Sequence, residues 1–434
     1  MSQKYFHEIR DPIHVFIRLT SDERKVVDSR PFQRLRHIHQ LGLTSLVYPS
    51  ATHKRFEHSL GVMELAGKVF DVITRTDLVN NKMRDSVKEF GNQDALKYWR
   101  NVLRIAALCH DLGHLPFSHA AEKELLPEGW NHEKLTVEII KSDEMMSLWN
   151  AMTPPLRPDD IIKLAVGTKA MGMGIGIFSD FEAILAKIIT GDSFGVDRID
   201  YLLRDAHHAG VAYGKFDHHR LIDTLRILPP PKEAGSEEEL QLGVEDGGLH
   251  SAEALLLARY FMFSQVYCHP IRRIYDIHLR DYLMEWLSEG KFSTELEEHL
   301  KITDNEITSA IRIAALDEKR EGHIHAKRII ERNHFKPFYE INPDDMEKNP
   351  NAVKLIYDAA CKEFGEKYFR RDPYEQKGVS PEFPVQERDG RVASSLSLSP
   401  QVLKNLPYVV IDYVFVDPEI KSKADKWLEK KEKI

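Results

Sequence analysis

Residues 103–119 read LRIAALCHDLGHLPFSH, a run that is apolar from Leu103 to Cys109 but for Arg104 and that closes on the adjacent pair His110 and Asp111. The spacing predicts a helix buried over most of its surface, with one imidazole and one carboxylate leaving its end from nearly the same point. Burying both without a partner is costly. A divalent cation removes that cost, because nitrogen and oxygen donors together suit iron, manganese, zinc, nickel or magnesium. Gly113 and Pro116 then break the helix, which lets His114 and His119 turn towards the same pocket.

Two stretches further out carry matching donors. His58 stands in RFEHSLGVMELAG where an apolar helix face is expected, and Asp197 stands at the start of a third helix, FGVDRIDYLLRD. Taken singly, a histidine on an apolar helix is most often a satisfied core side chain, and an aspartate at a helix start is most often a cap. Together, His58, His110, Asp111 and Asp197 make a plausible open metal site from three helices.

The surrounding chain is mainly helical. Apolar residues recur at helical spacing from Asp28 to Ile140, and MTPPLRPDDIIKLAVGTKAMGMGIGIF then holds a connector or lid before a helix at DFEAILAKII. A second helical block runs from FGVDRIDYLLRDAHHAGV through LHSAEALLLARYFMFSQVYCHPIRRIYDIHLRDYLMEWL, which reads as one long buried helix and hints at a subunit contact. LPPPKEAGSEEELQ reads as an exposed loop, and after about residue 320 HFKPFYEI, PEFPVQER and PYVVIDYVFV read as strands around a helix at NAVKLIYDAACKEFG. The expected fold is mainly α: a helical core over residues 1–290 and a smaller C-terminal α/β lobe over 291–434. The closing KSKADKWLEKKEKI reads as a solvated helix.

Composition narrows the function classes. The 434 residues carry a net charge of −8, which argues against a protein that coats nucleic acid. Cys109, Cys268 and Cys361 are too scattered for a disulfide framework or a paired-cysteine metal site. The opening MSQKYFHEIRDP lacks the apolar stretch of a signal peptide, and no apolar run reaches membrane-spanning length. The expectation is a soluble cytoplasmic protein with no membrane partner.

In chain order, DPIH, PFQRLRHIHQLG, ATHKRFEHSLGV, HDLGHLPFSH, NHE and GVDRIDYLLRDAHHAGV resemble the HD-domain dNTP triphosphohydrolases, a family whose members include enzymes with a sterile-alpha-motif domain. The likeness covers roughly residues 7 to 280 and implies an HD-domain helical core. It also implies hydrolysis of a dNTP to deoxynucleoside and inorganic triphosphate at a single metal held by His58, His110, Asp111 and Asp197, with magnesium accompanying the nucleotide. His53 or His132 are the residues that would join a second metal.

The resemblance places His114, His119 and His132 at the reacting phosphate, with His132 and Glu122 in a relay around His114. Glu122 stands where the family more often has aspartate, and Arg198 where it has lysine. Arg55 and Arg198 would meet the phosphates, and Tyr201 and Asp205 continue from Asp197 at four-residue steps along one helical stripe that can run from metal to phosphate to sugar. Gln40 and Asp205 would bond a sugar 3′-hydroxyl, while Tyr275 and Leu41 exclude a 2′-hydroxyl. Asp28, Gln33 and Arg36 match positions that recognise an activating guanine nucleotide between the subunits of a dimer or tetramer. Val15 replaces a glycine usual after DPIH, and Tyr267 stands where an arginine is found.

The metal chemistry itself does not choose a leaving group. An HD-type phosphodiesterase, nucleotidase or nuclease is one alternative, and a catalytically silent nucleotide-sensing oligomer is another, since fold alone never establishes activity.

Overall fold

Helix Arg55–Ile73 is buried on nearly every side, from Phe56 and His58 in its first turns to Phe70 and Ile73 in its last, as a helix at the centre of a large core must be. The protein, a computed structural model, is described over residues 6–79, 87–118, 122–231, 240–340, 347–375, 382–406 and 409–431. It is mainly α-helical, with an HD-type helical core and a C-terminal α/β part. Against the central helix pack helix Gln93–Cys109, capped by the Asn92 side chain on the amides of Asp94 and Ala95, and helix Val196–Ala209. The first half of Gln93–Cys109 is buried along one face and its last two turns, Val102 to Cys109, all round, so the helix is driven end-on into the core.

Close approach between these helices depends on small residues. A Cβ added at Gly61 would stand 1.9 Å from Asp200 Oδ1 and 2.5 Å from Arg204 Nη2, so only glycine lets the central helix meet Val196–Ala209 there.

The stretch expected as one long helix is two, Leu249–Met262 and Pro270–Trp286. A π-type turn, Phe263–Tyr267, ends the first, and Pro270, which has no N–H to continue the ladder, opens the second.

Strands form three separate sheets. β1 (Phe6–Asp11) and β2 (Val15–Thr20) make an antiparallel hairpin. β3 (Leu225–Leu228) and β4 (Gln241–Glu245) are joined by β7 (Pro384–Gln386) and β8 (Val392–Ser394) in the order β3-β4-β7-β8, with β4 and β7 parallel. β5 (Lys336–Glu340) and β6 (Phe369–Glu375) flank β9 (Val410–Val416). PEFPVQER is thus a strand, as read, but it serves the sheet of residues 225–245 and not that of β9, and Val385 packs in the main core. In β9, Ile411, Tyr413 and Phe415 face one apolar cluster with helix Pro270–Trp286, while Val414 and Val416 face another with helices Ala352–Phe364 and Lys421–Lys431. Burial on both faces explains the unbroken apolar run.

A second apolar cluster joins Leu115, Phe117 and Leu135 to Tyr275, Leu283 and Ile307. It ties the turn after His110-Asp111 to helices Pro270–Trp286, Asp304–Leu316 and His323–Ile330. Among the described residues no helix is long and apolar enough to cross a membrane.

Two stability outcomes follow. Val15, 54% exposed, holds φ +65°, a left-handed conformation that costs an L-residue about 1–2 kcal/mol. Val15→Gly is expected to raise the unfolding free energy by about 1 kcal/mol, after the entropy of the added glycine. Gly61→Ala is expected to lower it by about 1–3 kcal/mol. Gly91→Ala, where nothing lies within 4 Å, serves as the neutral comparison in the same denaturant titrations.

Candidate metal centre and its pocket

Three helices deliver donors to one point. His58, on the first turn of Arg55–Ile73, is 1% exposed, and its Nδ1 hydrogen-bonds Asp200 Oδ2 at 2.8 Å. His110, just past Cys109, hydrogen-bonds the Ala107 carbonyl through Nδ1 at 2.8 Å. Both acceptors are oxygens without a proton to give, so both rings carry hydrogen on Nδ1 and turn Nε2 to the centre, where a bound cation would take the place of any proton there. Asp197, in the first turn of Val196–Ala209, brings Oδ1 to 3.0 Å from His58 Nε2 and 3.6 Å from His110 Nε2. Ligand atoms of these three residues lie within 4.8 Å of one another. Among the described residues, the buried His110 Nε2 finds no hydrogen-bond partner. Such an orphaned nitrogen between carboxylates fits a divalent cation.

Asp111 completes the wall. Its Oδ1 lies 3.4 Å from His110 Nε2 and its Oδ2 3.7 Å from His58 Nε2. Arg55 Nη1 donates to the same Oδ2 at 2.5 Å. The Asp197 side chain is 39% exposed while those of His58, His110 and Asp111 are below a tenth, so among the described donors the centre opens to solvent at Asp197.

The charges explain why such a cluster calls for a cation. Burial favours a neutral His58, but the carboxylates of Asp197 and Asp200 outweigh it and push the imidazole up to about 10. His110 is raised against its burial by Asp111 and Asp197, and the same imidazoles drive Asp197 far below the usual carboxylate range despite burial. The site is built for positive charge.

The tautomer of His58 has its own support. Asp200, fully buried, takes His58 on one oxygen and His14 Nε2 on the other at 2.6 Å, and both oxygens also receive the Arg204 guanidinium, at 2.8 and 2.9 Å. Arg204, itself fully buried, extends to Asp11 at 2.8 Å. None of Asp11, His14, Asp200 and Arg204 was assigned a role from sequence. DPIH, and an aspartate and arginine four apart in a buried stripe, were the available signals.

Beyond the metal centre, His114 faces Asp111 Oδ1 through Nε2 at 3.2 Å and stacks on His132, ring centroids 4.1 Å apart. Burial, then the charges of Arg55 and His132, hold its pKa well below the usual histidine value, so it is neutral. Glu122 takes His132 Nδ1 at 2.8 Å and the His132 amide at 2.7 Å. Glu122, His132 and Glu133 form the second group whose ligand atoms converge, but Lys169 already sits on Glu133. The turn reaches this helix through Gly113, where a Cβ would meet the His132 carbonyl at 2.2 Å. His119 lies outside the described residues.

Phe117 and Ser118 carry the turn back at φ +56° and +61°, left-handed conformations costing about 1–3 kcal/mol each. Ser118 Oγ accepts from Arg55 Nε at 2.9 Å and donates to the His39 carbonyl at 2.8 Å, so Arg55 is fixed between the turn and Asp111.

The nucleoside-side candidates divide. Among the described residues, the buried Gln40 Oε1 and Tyr275 Oη find no hydrogen-bond partner, and Leu41 is 8% exposed. Asp205 is instead engaged at both oxygens: Oδ1 with His53 Nε2 and Oδ2 with Tyr267 Oη, each at 2.7 Å. His53 thereby stacks on His208 and is not among the converging donors of the metal centre. Tyr201 lies beside Tyr267. Arg198 donates to the Gly191 carbonyl at 3.1 Å, with its Nε buried and without a partner. Asp28, Gln33 and Arg36 sit apart. Gln33 bonds the Val27 carbonyl and Arg36, whose guanidinium covers Phe56 at 3.5 Å, and Asp28 accepts from Arg24.

Comparison with known proteins agrees with this geometry. Residues 55–170 match the HD domain and residues 216–365 an HD associated region. An uncharacterized protein of Methanocaldococcus jannaschii is 34% identical over 77% of this chain and 61% of its own length. The deoxynucleoside triphosphate triphosphohydrolase SAMHD1 of Homo sapiens is 28% identical over 82% of this chain and 60% of its own. The crystal structure of a hypothetical protein from Aquifex aeolicus superposes with a TM-score of 0.77 at 31% identity, covering 98% of this chain and all of that one. The chain spans 53% to 62% of the length of the curated relatives it matches first.

Asp200→Asn leaves every converging donor in place but can turn an N–H towards His58, His14 or Arg204. Divalent-metal affinity, measured by chelator competition, is expected to fall about 10–100-fold. Asp197→Ala is expected to leave no bound metal at all.

Proposed function

The chain belongs to the HD-domain dNTP triphosphohydrolase-like family, and on that premise we propose that it hydrolyses deoxynucleoside triphosphates to deoxynucleoside and inorganic triphosphate. The observation that carries the reading is the convergence of ligand atoms from His58, His110 and Asp197, beside Arg55 and His114. A divalent ion held there supplies polarisation of a phosphoryl oxygen and a water of lowered pKa.

The chain's own residues supply the rest. Arg55, charged and already aimed at the centre by Ser118, and Arg198 hold phosphate charge. Neutral His114 is able to take or give a proton, and His132, bonded to Glu122, stacks behind it. In the balanced reaction a water oxygen becomes bonded to the α-phosphorus, the bond from that phosphorus to O5′ breaks, and O5′ leaves with a proton. Gln40, Leu41 and Tyr275 line the nucleoside side of this proposal. Asp28, Gln33 and Arg36 are its candidate regulatory positions in a dimer or tetramer.

A second reading, hydrolysis of a different nucleotide phosphoester at the same centre, draws on Asp205. Its oxygens are already bonded to His53 and Tyr267, so a sugar hydroxyl would have to share or displace one of them.

Incubation with each dNTP and manganese, with and without GTP, separates the readings by product. Deoxynucleoside with intact triphosphate, lost in His110→Ala and Asp111→Ala, is the expected result. Monophosphate with pyrophosphate, or no consumption of any dNTP, would sink the triphosphohydrolase reading.

A further inference from the structure

We infer that Asp304 is a positioning residue of this active site: it holds the strained Phe117–Ser118 turn and the His39–Gln40 segment together, and so sets where Arg55 stands relative to Gln40. The inference rests on the hydrolase reading above and adds to it a residue from the C-terminal third of the chain.

Asp304 opens helix Asp304–Leu316 and is 1% exposed. Its carboxylate receives three hydrogen bonds, all from two segments, His39 beside Gln40 and Phe117 beside Ser118. Oδ1 accepts the Phe117 amide at 2.7 Å. Oδ2 accepts the His39 amide at 2.7 Å and His39 Nδ1 at 2.6 Å. Lys54 Nζ stands 2.5 Å from His39 Nε2, so that nitrogen is the acceptor and Nδ1 carries the hydrogen given to Asp304. The His39 and Phe117 rings lie nearly parallel, 9° apart.

What the carboxylate holds is itself under strain. Two consecutive non-glycine residues in the left-handed region persist only where the surroundings over-determine them. Here the fixing contacts are the Asp304 bond to the Phe117 amide, the Ser118 hydroxyl on the His39 carbonyl, and Arg55 on that hydroxyl. Arg55 is then bonded to Asp111 at its other end. A continuous line of hydrogen bonds therefore runs from Asp304 through the turn to the metal centre. On the other side the same carboxylate fixes the residue preceding Gln40. Among the described residues, the Asp304 carboxylate hydrogen-bonds His39 and Phe117 and none of His58, His110, Asp111 and Asp197, so its action is indirect.

The chemistry of the side chain makes this testable. All three partners of Asp304 are donors, so Asp304→Asn, equal in size, must present an NH2 group to an N–H at one of the two segments. Asp304→Asn, Ser118→Ala and the double variant are compared with Glu297→Gln, a surface change on the neighbouring helix Leu296–Lys301 that is expected to behave as wild type. Three quantities are measured on manganese-loaded full-length protein: metal content, kcat and KM with a dNTP, and affinity for inorganic tripolyphosphate.

Asp304→Asn is expected to keep its metal yet lose at least tenfold in kcat/KM and at least threefold in tripolyphosphate affinity. The double variant is expected to lose no more than the worse single one, because both act along one line. Multiplying losses, or tripolyphosphate affinity unchanged in Asp304→Asn, would overturn the inference, as would a wild type that binds no tripolyphosphate. A wild type that binds tripolyphosphate but leaves dNTPs intact removes the substrate reading alone, and the binding comparison still decides this one. If Asp304→Asn does not fold, Ser118→Ala carries the test, since Asp304 keeps all its bonds there; wild-type turnover and tripolyphosphate affinity in that variant would overturn the proposal.

Discussion

The Asp200 carboxylate is the constraint on which both fold and site depend. It is fully buried and receives His14, His58 and two nitrogens of Arg204. Those partners come from the hairpin, the central helix and Asp200's own helix, and Arg204 returns to the hairpin at Asp11. A buried charge of this kind is tolerated only when every lone pair is answered, and removing one partner leaves the rest uncompensated. The same bonds that seat three elements against one another therefore also orient the His58 ring. Gly61 is the steric condition for it, because any side chain there would occupy the space of Asp200 Oδ1.

How much of this the sequence disclosed follows from the range of the interactions. The helix through Cys109 and the donors His58, His110, Asp111 and Asp197 were legible, because an apolar run that ends on adjacent charged residues declares its own cost. PYVVIDYVFV was legible as a strand for the same reason. The break at Tyr267–Pro270 was within reach, since Pro270 was in plain view inside a run read as one helix. Long-range pairings were not: nothing local says that Asp304 bonds Phe117, or that Val385 lies beside Val244. His53 illustrates the limit at a single residue. It is surrounded by motif residues, yet what decides its role is that Asp205, from another helix, reaches it first.

The pocket is accordingly asymmetric in its state of preparation. On the cation side, two imidazole nitrogens and an accessible aspartate face one another, and a cation would replace the proton they share. On the far side, Gln40 and Tyr275 keep polar atoms without partners, while Asp205 is saturated by Tyr267 and His53. The Tyr267 hydroxyl is held on that carboxylate by burial and by the charge itself, which together raise its pKa well above the usual phenol value. In the proposed reaction, substrate recognition at that end would work against an existing bond, whereas cation binding would answer an unmet demand.

The parallel contact of β4 with β7 bears on how the chain comes to be folded as it is synthesised. Residues 225–245 form only a two-stranded ribbon by themselves, and such a ribbon is marginal until further strands cover its edge. The covering strands are residues 384–394, so some 140 residues must be made before that edge is paired, and closing so long a loop is slow. Phe383, Val385 and Leu403 enter the main core with them. During that interval the nascent protein presents an unpaired strand edge beside an unfinished apolar surface, which is the period in which chaperone contact or misassociation with another chain has its opening.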